Sequence, residues 1–147
     1  MHTENSIVIR AQPERIFRLA CAVERWPELL AHYRSVREIS RQGDRRVVEM
    51  AAHRDGIPVR WRAEQICDPA VPRITFRHVR GVTTGMEVEW SFTPTGDGVL
   101  VRISHELRLG WPVIGGLVAD RIIGPFFIAN IAGKTLRRIK QLAEANR

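Results

Sequence analysis

Two histidines, His78 and His105, stand where a folded domain could use them to move protons. Each belongs to an alternating stretch. His78 is in phase with Ile74 and Phe76, and His105 with Val99, Val101 and Ile103, so both share the apolar side of a strand. The ordinary pKa of histidine, near 6.5, suits it to take or give a proton close to neutral pH. Tyr33 and Thr135 add hydroxyls able to hold a carbonyl or enolate oxygen, and Gln65 adds an amide able to orient a keto group. Such a set fits chemistry in which a base removes an acidic C–H and an acid releases water. The competing reading is that these polar groups satisfy one another or ordered water within a core.

The candidates for holding a ligand are apolar. Trp61 and Trp90 lie on the inward side of separate strands, where they could sandwich a planar molecule. Aromatic stacking contributes roughly 0.5–1.5 kcal/mol beyond area burial. Trp26, Phe76, Met86, Phe92 and Ile131 complete this set, and the alternative is that all of them are packing residues. Arg80, near a strand end, could reach an anionic group at a cavity mouth or simply be solvated. No clustered His, Cys or carboxylate spacing points to a metal, and no glycine-rich turn points to a nucleotide. No cofactor is expected.

The elements that must position these residues follow from periodicity. Ser6 to Arg10 reads as a strand, and Pro13 then opens a helix carrying Ile16, Phe17, Leu19 and Ala20. Trp26 to Leu30 reads as a short second helix. From about residue 35 the pattern alternates. Val36 to Ser40 and Arg46 to Ala52 are joined through Gln42-Gly43-Asp44, and a turn at Asp55-Gly56 leads to Ile57 through Gln65. Arg73 to Arg80, Met86 to Thr93 and Val99 to Leu109 follow, the last two separated by Thr95-Gly96-Asp97-Gly98. From Pro125, the positions Phe127, Ile131, Thr135, Ile139 and Leu142 form the core stripe of a long helix. A strand, two helices, about six strands and a covering helix make an α+β fold with an antiparallel sheet. Residues 110–124, apolar and punctuated by glycine, could form a lid, a dimer contact or the start of the last helix.

The 147 residues suit one domain spanning 1–147, and no run of about 18 apolar residues is present to cross a membrane. The net charge of +7 invites a nucleic-acid reading, but the 23 basic residues are spread along the chain and mostly alternate with apolar ones. That is the pattern of solvated faces, Arg45-Arg46 included. The first residues, Met1 to Ser6, lack the features of a secretory signal, and Cys21 and Cys67 match no ligand spacing. Reduced thiols and a cytoplasmic location are therefore expected.

Asn5-Ser6-Ile7-Val8-Ile9, Pro13, Glu24-x-Trp26-Pro27-Glu28-Leu29 with Tyr33, then Trp61, Trp90 and the closing Leu136-Arg137-Arg138-Ile139-Lys140 carry a resemblance over nearly the whole chain. In these residues the chain resembles the START-related helix-grip superfamily, and within it the polyketide aromatase/cyclase branch. The Trp-Pro-Glu-Leu block is its most specific part. The resemblance implies a seven-stranded sheet wrapped around the last helix, with an interior cavity. It also implies a pocket arginine, serine and asparagine at positions where this chain has Gln65, Ala63 and Thr135. Three functions follow as expectations. The first is cyclisation or aromatisation of a poly-β-keto substrate, presented by an acidic acyl carrier protein that the basic surface would suit. The second is non-catalytic carriage or sensing of a lipid, quinone or polyketide. The third, and weakest, is a ribosome- or RNA-associated role. A homodimer stays open.

Overall fold

The computed structural model describes residues 2–54, 57–81, 83–106 and 125–145. These residues form seven strands and three helices. β1 (His2–Ile9) leads into α1 (Pro13–Cys21), a single 3-10 turn (Val23–Arg25) and the four-residue α2 (Trp26–Leu29). Then come β2 (Tyr33–Gln42), β3 (Arg45–Arg54), β4 (Ile57–Asp68), β5 (Arg73–Gly81), β6 (Glu87–Thr95) and β7 (Gly98–Glu106), and α3 (Pro125–Glu144) closes the domain. The proposed lid segment, 110–124, and the turn at Asp55-Gly56 lie outside the described residues.

All neighbours in the sheet are antiparallel, in the order β1-β7-β6-β5-β4-β3-β2. The period-two side-chain pattern puts Val48 and Met50, Trp61 and Ala63, Ile74 and Phe76, Val88 and Trp90, and Val101 and Ile103 on one buried face. A bulge shifts the β4–β5 register between Arg62 and Ala63, so that Trp61 pairs with Gly81 and Ala63 with His78. A side-chain carbon at Gly81, whose φ is +103°, would stand 2.6 Å from the Arg60 carbonyl oxygen. Glycine is therefore required there for the strands to approach beside Trp61.

α3 lies over the buried face. Its sequence stripe drifts by one helical position from the expected one. Ala132, Thr135, Leu136, Ile139 and Ala143 are buried, whereas Ile131 and Leu142 are only half-buried. The side chain of Phe127 lies outside the described residues. Polar contacts lock the helix in place. Arg15 donates from Nε to the Ala143 carbonyl at 3.1 Å and from Nη2 to that of Leu142 at 2.9 Å, capping the helix's last turn. Lys140 donates to the Val8 carbonyl at 2.8 Å and to Glu144 at 2.7 Å, and Arg138 donates to the Leu29 carbonyl at 2.9 Å. Lys140 thus leans onto β1.

Two expectations about individual residues are corrected. Cys21 at the end of α1 and Cys67 near the end of β4 form a disulfide, with Cα atoms 6.4 Å apart. Their separation of 46 residues hid a contact that only the packing of α1 on the sheet creates. Arg46 is no surface residue: it is 7% exposed and in phase with Val48 and Met50. Its charge is met by Glu24 at 2.8 Å and Glu38 at 3.4 Å, and it also donates to the Cys21 carbonyl at 2.8 Å. A buried cation persists only with partners of this kind.

Candidate functional site

Between the buried sheet face and α3 lies a cavity of about 80 Å³. A water molecule needs roughly 10–15 Å³ of such space. The cavity therefore holds several waters or a small ring, and anything larger requires side chains to move. Trp26 and Tyr33 close one side, α3 supplies Ile131, Ala132 and Thr135, and β4 supplies Val59 and Trp61. The β5–β6 hairpin and β7 complete the wall, with His78 and His105 among their residues. Met50 and Met86 also line it, and their flexible thioethers are the side chains best able to give way. None of these lining residues carries a permanent charge.

His78 is held from two sides. Its Nδ1 lies 2.6 Å from Thr83 Oγ1, in the turn that follows β5, and its ring stacks on Trp61 at 5.6 Å and 5°. The hairpin's own bonds, His78 N–H to Met86 carbonyl and Gly85 N–H to His78 carbonyl, both 2.9 Å, fix the backbone beneath it. Burial lowers its pKa to about 3, and the nearby His105 acts in the same direction. His78 is neutral at physiological pH.

His105 sits on β7 opposite Thr3 of β1 and Val88 of β6. Burial lowers its pKa to about 4, with a smaller contribution from His2. Its buried Nδ1 has no hydrogen-bond partner among the described residues, and neither do Thr3 Oγ1 and Asn5 Oδ1 on the adjoining strand. An unpartnered buried ring nitrogen is a lone pair or an N–H still open to a guest.

At the opposite side, Tyr33 opens β2 with its ring edge-on to Trp26 (5.1 Å, 63°) and Trp61 (6.2 Å, 66°). Burial holds its pKa well above the ordinary tyrosine range, and the Thr135 hydroxyl beside it acts in the opposite direction. Thr135 donates to the Ile131 carbonyl at 2.8 Å and is also met by His32 Nε2 at 3.2 Å. His32 was not among the residues singled out by sequence. It lies in the turn between α2 and β2, where no periodicity marks a side chain as inward. Burial, aided by Lys134 and His53, lowers its pKa to about 4.

The cavity thus brings together the predicted His78, His105, Tyr33 and Thr135, along with Trp26, Trp61, Phe76, Met86, Trp90 and Ile131. Two predicted ligand residues do not reach it. Gln65 is fully buried, but further along β4 it faces α1. Its Oε1 accepts from Arg46 Nε, and its Nε2 donates to the Cys21 carbonyl at 3.0 Å. Phe92 packs edge-on against Phe17 of α1 at 5.6 Å and beside Trp90 at 6.4 Å. Arg80 is exposed. Among the described residues no group of His, Cys, Asp or Glu is placed to hold a metal. Neutral imidazoles, one phenol and two threonine hydroxyls in an aromatic box can exchange protons with, and hydrogen-bond to, an uncharged oxygenated guest.

Residues 9–123 match the model of a family described as polyketide cyclase/dehydrase and lipid transport. A provisionally named polyketide cyclase of Streptomyces halstedii is 36% identical over 107 residues, which is 69% of this chain and 95% of that protein. The crystal structure of an aromatase/cyclase from Streptomyces sp. R1128 superposes with a TM-score of 0.77 at 13% identity, covering 99% of this chain and 98% of that one. A START superfamily protein of Mycobacterium smegmatis superposes with a TM-score of 0.78 at 16% identity, covering 99% of both chains. Both share its architecture.

Proposed function

This chain belongs to the polyketide cyclase/dehydrase and lipid-transport family, and from that premise we propose that it binds a neutral, oxygen-bearing aromatic or poly-β-keto guest in its cavity and promotes cyclisation with loss of water. The observation that carries this reading is the uncharged aromatic box with a neutral His105, whose Nδ1 is buried and unpartnered, and a Tyr33–Thr135 hydroxyl pair.

A methylene between two carbonyls gives its proton to His105, and the developing enolate oxygen takes a hydrogen bond from Tyr33. The carbanion attacks a second carbonyl of the same guest, forming a C–C bond and an alkoxide. The imidazolium left behind is a strong acid, because its surroundings hold its pKa at about 4. It protonates the alkoxide to an alcohol. His105, neutral again, then takes the second proton of the same methylene carbon and passes it to the hydroxyl, which departs as water as the C=C bond forms. The aromatic walls limit how the guest can fold. An acidic acyl carrier protein delivers the substrate, since the chain carries a net charge of +7. Among the described residues no helix is long and apolar enough to cross a membrane.

The test is turnover of a carrier-bound poly-β-ketone by wild type, His105→Gln and Tyr33→Phe. Wild type is expected to give a cyclised, dehydrated product absent from buffer, and His105→Gln to slow it by roughly 10²–10⁴. A wild-type product spectrum identical to that of buffer refutes the enzyme. A second reading, carriage of the same ligand without turnover, is favoured by the position of Gln65. It stands where the resemblance implies a pocket arginine, yet it faces away from the cavity. Native mass spectrometry showing a co-purified ligand with no turnover would select it.

A further inference from the structure

Resting on the proposal that an oxygenated guest occupies the cavity, we infer that His32 is a positioning residue for Tyr33. Its Nε2–H satisfies the Thr135 hydroxyl oxygen, so that Tyr33 is free to give its own proton to a carbonyl of the guest.

A threonine hydroxyl has one proton and two lone pairs. The proton of Thr135 is committed to the Ile131 carbonyl one helical turn back, at 2.8 Å. Toward its other neighbours Thr135 Oγ1 can therefore only accept. His32 Nε2, 3.2 Å away, must then carry a proton. With His32 neutral, that proton is the only one on the ring, which fixes the Nε2–H tautomer and leaves Nδ1 as a lone pair.

The second lone pair of Thr135 is left for the Tyr33 hydroxyl, which lies beside it. The Tyr33 ring cannot swing, because Trp26, Trp61 and His32 pack around it at 5.1, 6.2 and 4.7 Å. Only the O–H torsion is free to turn. When it turns to a guest carbonyl, Thr135 keeps the His32 N–H, and no buried acceptor is orphaned. Without His32, the same rotation strips Thr135 Oγ1 of its last donor. Leaving a buried polar atom unmet costs far more than the net value of an ordinary bond.

Acetophenone and ethylbenzene test this, since they share a shape and one ring but only acetophenone carries a carbonyl. Wild type is expected to prefer acetophenone. His32→Leu is expected to lose that preference on the order of tenfold while binding ethylbenzene as before. His32→Gln, which restores an N–H at similar reach, is expected to recover most of it. A merely structural role would weaken both probes together. Nitrogen-15 NMR of wild-type His32 gives an independent reading that needs no variant to fold, and it should report the Nε2–H tautomer. An Nδ1–H tautomer overturns the inference, as does a folded His32→Leu that keeps the preference. Wild type binding ethylbenzene and acetophenone equally overturns the His32 role alone, and wild type binding neither overturns the cavity reading with it.

Discussion

Replacing Gln65 by leucine separates the scaffold from the site. Gln65 lies on the inward face of β4, as alternation predicts, yet it holds Arg46 and the Cys21 carbonyl, not a ligand. Leucine fills most of the same volume and removes both bonds. Arg46 keeps Glu24, Glu38 and the Cys21 carbonyl, and the Cys21 carbonyl keeps Arg46, so the loss falls on one charged donor, Arg46 Nε. Orphaning such a group costs about 1–3 kcal/mol. At roughly 2–4 °C per kcal/mol for a domain of this size, Tm should fall by about 2–12 °C. Urea unfolding gives the free energy directly, and acetophenone affinity, measured well below Tm, should be unchanged. Unaltered stability together with weakened binding would refute the placement of Gln65 outside the cavity.

Two further outcomes follow from buried groups. His78 and His105 have folded pKa values lowered to about 3 and about 4, so as pH drops the unfolded chain takes up their protons first. Stability should be complete above about pH 6.5 and decline toward pH 4, by up to roughly 1.4 kcal/mol per pH unit for each histidine. Urea midpoints across that range check this, and a profile no shallower after replacing both histidines with asparagine contradicts it. The Cys21–Cys67 disulfide closes a loop of 46 residues, so reduction should cost about 2–4 kcal/mol. Thiol titration of unfolded protein, without and with reductant, should find zero and then two reactive groups, and two from the start would contradict the pairing.

What the sequence made legible was what period two or period 3.6 enforces. Trp61, Phe76, His78, Trp90 and His105 are in phase with strongly apolar neighbours, and all five line the cavity. Parity alone cannot say how far along a strand the cavity extends, which is why Gln65 and Phe92, inward like the others, end against α1. Nor does it report pairings remote in sequence, such as Cys21 with Cys67 or Arg46 with Glu24. β1 begins at His2, not Ser6, and its inward Thr3 and Asn5 are polar, so hydropathy gave no sign of them. His32 sits in a turn, where the only clue is chemical: a histidine directly before the cavity's tyrosine.

A crystal structure of the protein soaked with acetophenone tests the account most directly. The predicted result is density for one ring between Trp61, Trp90 and Thr135, with the carbonyl oxygen within hydrogen-bond distance of Tyr33. A saturated crystal whose interior stays closed around its own tryptophans, with the ketone only on the exterior, would contradict it.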